Sequence, residues 1–309
     1  MRKIVQTLTG GPDVLELTEA PDPVPGEGEV LVAVAAAGIN PVDAAFRAGL
    51  FPALPDLPFT LGWDIAGTVV SAGPGAGRFP KGTRVFGMPR FPREAGGYAS
   101  AIAAPEAELA ATPEAWSDAQ AAAMPLAGLT AWQGLVGAGK LAPGQTVLIT
   151  AAAGGVGHLA VQIAAALGAR VTASASAGKH AALTAWGAAE TLDYTREAPE
   201  AQGPRFDLIL DAFGGETSAT LLPALKSGGA LVCLREPSPE ARAQAEAQGK
   251  SIRRIGVRPN GPQLEELARL GAEGRLTPAV ARTFPLAEAG AAQSFLADEK
   301  PVGKVVLLP

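Results

Sequence analysis

Residues 149–169 read ITAAAGGVGHLAVQIAAALGA, a short apolar run, a turn holding Gly154, Gly155 and Gly157, and then a long run with helical spacing. Val156, Leu159, Ile163 and Leu167 recur at intervals of three and four and so share one helix face, while VLIT at 147–150 leads into the turn as a strand. Strand, tight turn and helix in this order leave two readings of the glycines. They let a helix pack close to a sheet, or they let backbone approach a pyrophosphate whose charge rests on amides at the helix N-terminus. In the pattern G-x-G-x-x-G, Ala152 takes the first place and Gly154 and Gly157 the other two. The flanking strand and helix favour the phosphate reading, with Gly154, Gly155, Val156 and Gly157 as the expected cradle.

About 20 residues beyond such a turn, NAD-selective sites place a carboxylate on the ribose hydroxyl. The segment RVTASASAGK at 170–179 has no acidic residue. It offers Ser174, Ser176 and Lys179, two hydroxyls and an ammonium suited to a 2′-phosphate, although a solvated strand-to-helix turn would read the same way. NADPH is therefore expected over NADH.

Outward from the turn, strand and helix signals alternate. RVTASAS (170–176) precedes KHAALTAWGA, FDLILDAF (206–213) precedes TSATLLPALK, and ALVCL (230–234) precedes a polar stretch. This alternation predicts right-handed crossovers and a doubly wound parallel sheet. The first 113 residues read differently, as β-like runs (KIVQTL, PDPVPGEGEV, VLVAVAAAGIN, DIAGTVVSAG, TRVFGM) punctuated by Pro and Gly. At 112–136 the pattern turns helical, with Thr112 as an N-cap and Pro113 at the first helical position. A helix near 263–271 and a final strand-like run close the chain; AEAQGKSIRR reads as a surface loop or helix.

Across 309 residues the net charge is −5, which argues against broad nucleic-acid or anionic-membrane binding. No segment has about 18 uninterrupted apolar residues, and the basic start is interrupted by polar residues before any signal-like stretch, so a soluble cytoplasmic protein is expected. Cys233 is the one cysteine, which excludes an intrachain disulfide and thiol-rich metal clusters. Inside ALVCL it reads as a buried small hydrophobe.

The chain resembles the medium-chain dehydrogenase/reductase superfamily, in its zinc-independent, zeta-crystallin-like quinone oxidoreductase branch. PGEGEVLVAVAAAGINPVD, LGWDIAGTVVSAG, AAAMPLAGLTAW, AAAGGVGHLAVQIA, DAFGG and GKVVLL carry the likeness, in this order and over nearly the whole length. The resemblance implies a GroES-like substrate domain from 1–115 and 261–309, around a Rossmann NADPH-binding domain at 116–260. It puts Thr130 near the nicotinamide, Lys179 and Tyr194 around the adenosine phosphate, and Phe213 and Gly214 beside the nicotinamide ribose. Asn40 of GINPVD lies where the family has a polar side chain that looks into the cleft, which makes it a coenzyme-binding residue and the candidate oxyanion donor. Phe51, Trp63 and Phe91 are candidate acceptor-pocket residues, on loops at 46–59 and 88–97.

Zinc-dependent members carry a Cys after the glycine of the segment that here reads GIN, and a His where Gly62-Trp63-Asp64 stands. Both ligand types are missing, so no metal is expected. His158 and His180 are read as solvent-facing structural residues, and Asp43 and Asp64 as structural or loop-bonding carboxylates. Without a Lewis acid, hydride transfer to an acceptor already activated by conjugation, a quinone or enone, is the easier chemistry. Relatives with tyrosines after GINPVD differ from AAFRAGLF here, which leaves open a coenzyme-binding structural or regulatory protein with little turnover. A homodimer is expected, with SIRRIGV as the sheet edge that joins its copies.

Overall fold

The computed structural model describes residues 1–51 and 56–309; residues 52–55, part of the loop expected to shape the acceptor pocket, lie outside the described residues. The chain divides into two compact units, 1–129 with 258–309, and 130–257.

In the first unit, β1 (Arg2–Gln6) pairs antiparallel with β2 (Leu15–Glu19). Next come β3 (Glu29–Ile39), α1 (Pro41–Arg47), β4 (Asp64–Ala72), β5 (Arg84–Gly87), β6 (Ala101–Pro105), β7 (Leu109–Ala111), α2 (Asp118–Ala122) and α3 (Pro125–Trp132), whose last residues enter the second unit. Along β3, Val30, Val32, Val34 and Ala36 are buried in alternation, and from Ala36 onward both faces are covered. Gly38 makes this possible, since a Cβ there would run into the Ala122 carbonyl oxygen at the end of α2 and sit 3.0 Å from the Asp64 Cβ. PDPVPGEGEV enters a strand only at its last two residues, because prolines and glycines cannot sustain a ladder.

The helix expected to start at Thr112 starts later. Ser117 is the N-cap of α2: its hydroxyl accepts the Gln120 N–H at 3.2 Å, and the Gln120 side chain accepts the Ser117 N–H at 3.0 Å. That reciprocal pair is the S-x-x-Q capping box. Pro125 lacks an N–H and opens a separate helix, α3, at its first position.

The second unit contains β8 (Thr146–Ile149), α4 (Gly157–Ala166), β9 (Arg170–Ser174), α5 (His180–Ala185), β10 (Glu190–Leu192), β11 (Phe206–Asp211), α6 (Thr217–Leu221), β12 (Leu225–Cys233), α7 (Pro239–Ala247) and β13 (Ser251–Arg254). All six strands are parallel, in the order β10-β9-β8-β11-β12-β13. This is the doubly wound Rossmann order, with its direction reversing between β8 and β11. One core on this sheet joins Leu148, Phe206, Ile209, Leu221, Leu231 and the buried Cys233. The polar run AEAQGKSIRR divides between the end of α7 and β13.

The chain then returns to the first unit through α8 (Gly261–Ala272), β14 (Val280–Pro285), α9 (Ala289–Glu299) and β15 (Lys304–Leu308). β15 pairs antiparallel with β3, which completes a sheet ordered β14-β15-β3-β4-β5-β7 with β6 also on β3. Among the described residues, no helix is long and apolar enough to cross a membrane.

Candidate functional site

The glycine turn follows β8 at the point where the strand order reverses, the place where open parallel sheets take their ligands. The Gly154 N–H bonds the Ala151 carbonyl at 2.9 Å, and the His158 N–H returns to the Gly154 carbonyl at 3.1 Å. Between them, the N–H groups of Gly155, Val156 and Gly157 have no acceptor among the described residues. They are the orphan donors of a helix start, where the macrodipole favours an anion. Gly157 also packs: a Cβ there would collide with the Ala151 carbonyl oxygen and lie 2.7 Å from the Ala152 Cα. At Gly154 the nearest atom would be that same oxygen at 3.3 Å, so its surroundings are more open.

Neighbouring strand ends bring the other expected residues to this edge. The Ala152 N–H bonds the Ser174 carbonyl at 3.0 Å, which ties the turn to the end of β9. Ser174 itself is buried, whereas Ser176 and Lys179 are partly exposed in the turn that follows. Tyr194 lies just past β10 and is 57% exposed. Phe213, 53% exposed, and Gly214 follow β11. Asp211, which sequence reasoning passed over, holds them: its carboxylate accepts the Phe213 N–H at 2.9 Å, the Gly214 N–H at 3.2 Å and the Ser218 hydroxyl at 2.7 Å. A carboxylate closing its own strand, followed by two glycines within four residues, was the available signal.

His158 is not solvent-facing. It is fully buried, with its ring on the Gly154 carbonyl at 3.0 Å and its centroid 5.5 Å from that of Trp186. Residues 157–164 of α4 are buried all round, so an imidazole at 158 needs a backbone partner there. His180 is half-buried, with Nε2 3.0 Å from the Ala175 carbonyl. Thr130 is buried within α3.

In the first unit, Asn40 is likewise inside, at 2% exposure. Its amide nitrogen donates to Asp64 Oδ2 at 2.8 Å and its Oδ1 accepts from the Lys304 ammonium. Both ends of the amide are committed, which corrects the expectation of a side chain turned toward an acceptor. Asp64 Oδ1 accepts the Leu126 N–H at 2.7 Å. Asp43 accepts the Asn40 N–H at 2.7 Å and the Tyr98 hydroxyl at 2.8 Å. Both aspartates are thus held by hydrogen bonds within the first unit. Trp63 is buried, its indole N–H on the Arg93 carbonyl at 2.7 Å, and the rings of Phe51, Phe46, Trp63 and Phe91 form a chain of contacts at 4.1, 4.7 and 5.1 Å. The three candidate pocket aromatics therefore cluster.

Burial pushes the Asp43 carboxyl up from 3.8 to about 7; the Asn40 N–H, the Tyr98 hydroxyl and Lys304 pull it down, and Asp64 pushes with the burial. Burial also raises Asp64, against Lys304, the Asn40 amide and the Leu126 N–H. For Asp43 the folded chain binds a proton that the unfolded chain has released, so its contribution is full below about 3.8 and is lost as pH rises through about 7. Asp43→Asn is expected to flatten that fall, gaining about 1 kcal/mol or more on the unsubstituted chain between pH of about 5 and about 7.5 in urea titrations. Parallel pH profiles would count against it.

Two family descriptions match the chain: alcohol dehydrogenase GroES-like domain over residues 26–114 and zinc-binding dehydrogenase over 186–307. The chain is 34% identical to the NADPH-dependent alkenal/one oxidoreductase of Arabidopsis thaliana, covering 100% of this chain and 80% of that protein. The chain belongs to the medium-chain dehydrogenase/reductase superfamily, among its quinone oxidoreductase-like members. The solved quinone oxidoreductase of Escherichia coli in complex with NADPH superposes on this superfamily member with a TM-score of 0.89, at 29% identity and 100% of each chain. The chain also matches polyketide synthases of Streptomyces halstedii and Streptomyces orinoci, at 36% and 38% identity over 91% and 96% of its own length, and spans 5% and 14% of theirs.

Zinc in this superfamily must be tested on the residues present. Ile39 and Trp63 stand where the zinc-dependent members carry Cys and His. Ile39 offers only a carbonyl oxygen, already held by the Lys304 ammonium at 2.8 Å, and Trp63 offers a donor rather than a lone pair. These residues do not fit a zinc ion. Among the described residues, no other group of three His, Cys, Asp or Glu side chains forms a metal site.

Proposed function

We propose that the chain is a zinc-free, NADPH-dependent reductase that delivers hydride to a quinone or an α,β-unsaturated carbonyl compound. The observation that carries this reading is the set of unaccepted amides at Gly155, Val156 and Gly157, at the point where the strand order reverses. The alkenal/one oxidoreductase relative and the NADPH-bound neighbour support the same reading. NADPH fits the residues: three backbone donors and a helix dipole for the diphosphate, and a turn at 175–179 with an ammonium and no carboxylate for the 2′-phosphate.

When bound, the dinucleotide supplies the hydride from its nicotinamide. The chain's part is placement. The amides of Gly155 to Gly157 hold the diphosphate, Lys179 with Ser176 and Tyr194 meets the adenosine end, and Asp211 fixes the turn that presents Phe213 and Gly214. Thr130 on α3 completes the set at the nicotinamide. Holding the reacting atoms about 3–3.5 Å apart supplies much of the rate, and a conjugated acceptor needs no Lewis acid. Phe51 and Phe91, partly exposed in the first unit, offer an apolar face to such an acceptor, with the buried Trp63 packed behind Phe91, and solvent delivers the proton.

Steady-state NADPH oxidation with a panel of quinones and enals tests the activity: turnover with at least one conjugated acceptor is expected. The commitment of Asn40 to Lys304 and Asp64 favours one second reading, a coenzyme-binding structural or regulatory protein, for which tight binding without NADPH consumption would speak. Coenzyme choice has its own test. A charge-assisted hydrogen bond contributes about 1.5–3 kcal/mol, so Lys179→Ala should weaken NADPH by about tenfold or more and leave NADH nearly unchanged. Equal losses for both would remove Lys179 from the 2′-phosphate. A cytoplasmic homodimer joined along β13 belongs to the same proposal, and light scattering at twice the chain mass is the expected result.

A further inference from the structure

Lys304 opens β15 and is the one charged residue in the run KVVLL, yet its side chain is almost wholly buried. Its ammonium donates to the Ile39 carbonyl at 2.8 Å, to Asn40 Oδ1, and to Asp64 Oδ2 at 3.3 Å. An ammonium has three donors and no acceptor, and these three oxygens match it. The Asn40 amide closes the ring by donating to the same Asp64 oxygen at 2.8 Å. The other oxygen of Asp64 faces away and accepts the Leu126 N–H at 2.7 Å, in the first turn of α3, where a carboxylate also meets the positive end of the helix dipole. Four residues farther along that helix stands Thr130.

We propose that Lys304 is a positioning residue for the reductase: its ammonium is the resident cation of an all-oxygen donor set, which orients Asp64, and Asp64 fixes the start of α3, the helix that carries Thr130. A bound metal would ask these oxygens for the same service, and the lysine already performs it. The inference rests on the NADPH reading only for the contact of Thr130; the anchoring of α3 is read separately.

Amide hydrogen exchange and kinetics on Lys304→Met test the two parts. Loss of the cation should speed exchange at Leu126 by about tenfold or more while the amides of β8 keep their protection. The KM for NADPH should rise by about fivefold or more with kcat within about twofold, whereas a lysine that only stabilises the fold would lower the active fraction, and kcat with it, at constant KM. Unchanged exchange at Leu126, or a loss confined to kcat, overturns the role of Lys304. A wild-type chain that neither binds nor oxidises NADPH overturns the functional reading instead, and the exchange experiment distinguishes that failure from this one. Should Lys304→Met be recovered only in insoluble form, refolding of Lys304→Ala decides: recovery in ethylammonium chloride but not in tetramethylammonium chloride, which has the charge without the N–H donors, is expected. Equal recovery in both salts overturns the proposal.

Discussion

Asp64→Asn is expected to lower the unfolding free energy by about 3–5 kcal/mol, the cost of leaving one member of a buried ion pair without its counter-charge. Lys304 would keep two neutral acceptors, the Ile39 carbonyl and Asn40, in a place water does not reach. The carboxylate also receives the Asn40 amide and the Leu126 N–H, so an uncharged amide in its place must turn an NH2 group toward one of these donors. Urea titration near neutral pH reads the loss. The pair is coupled, so combining Asp64→Asn with Lys304→Met should cost less than the sum of the two single changes. A loss below about 1 kcal/mol for Asp64→Asn would mean that the pair contributes no more than an exposed one does.

Gly157→Ala is expected to reduce NADPH affinity by about a hundredfold or more. Its Cβ would collide with the Ala151 carbonyl oxygen and lie 2.7 Å from the Ala152 Cα and 2.8 Å from the Ala152 carbonyl carbon. Backbone cannot give way there without moving the turn, and the amides of Gly155 to Gly157 move with it. Losing two charge-assisted hydrogen bonds at about 1.5–3 kcal/mol each gives that factor. Overpacking should add about 1–3 kcal/mol of instability. Gly154→Ala, whose nearest contact is 3.3 Å, should be the milder change of the two. Fluorescence titration with NADPH compares them, and wild-type affinity in Gly157→Ala would show that the glycine serves packing alone.

The readable parts of this chain are those where local pattern and tertiary context agree. At 147–150, 170–176 and 206–213 an apolar run is followed by a helix signal, and the parallel sheet follows from that alternation, whereas the three-residue β10 is too short for a pattern to show. The glycines belong to the same pattern, since strand, turn and helix are contiguous in sequence. Where a partner is remote, the pattern gives little. Thr112 and Pro113 look like a helix start, but Ser117 with Gln120 supplies the capping box five residues later. His158 reads as a polar residue on a helix that proves buried all round at its start, because its carbonyl partner is Gly154 and its packing partner, Trp186, comes from beyond the next strand. Asn40, Asp64 and Lys304 are separated by 24 and 240 residues, so no window of sequence contains the ring they form. The hint was a lone charge at the start of an apolar strand, GKVVLL, which the alternation of a buried strand does not call for.

Calorimetric titration of the folded chain with NADPH and with NADH tests the central claim most directly. Saturable heat with NADPH, and binding about tenfold or more tighter than NADH, is the result the amides of Gly155 to Gly157 and the acid-free turn at 175–179 lead us to expect. No heat with either dinucleotide would contradict it, and tighter binding of NADH would overturn the assignment of the 2′-phosphate site.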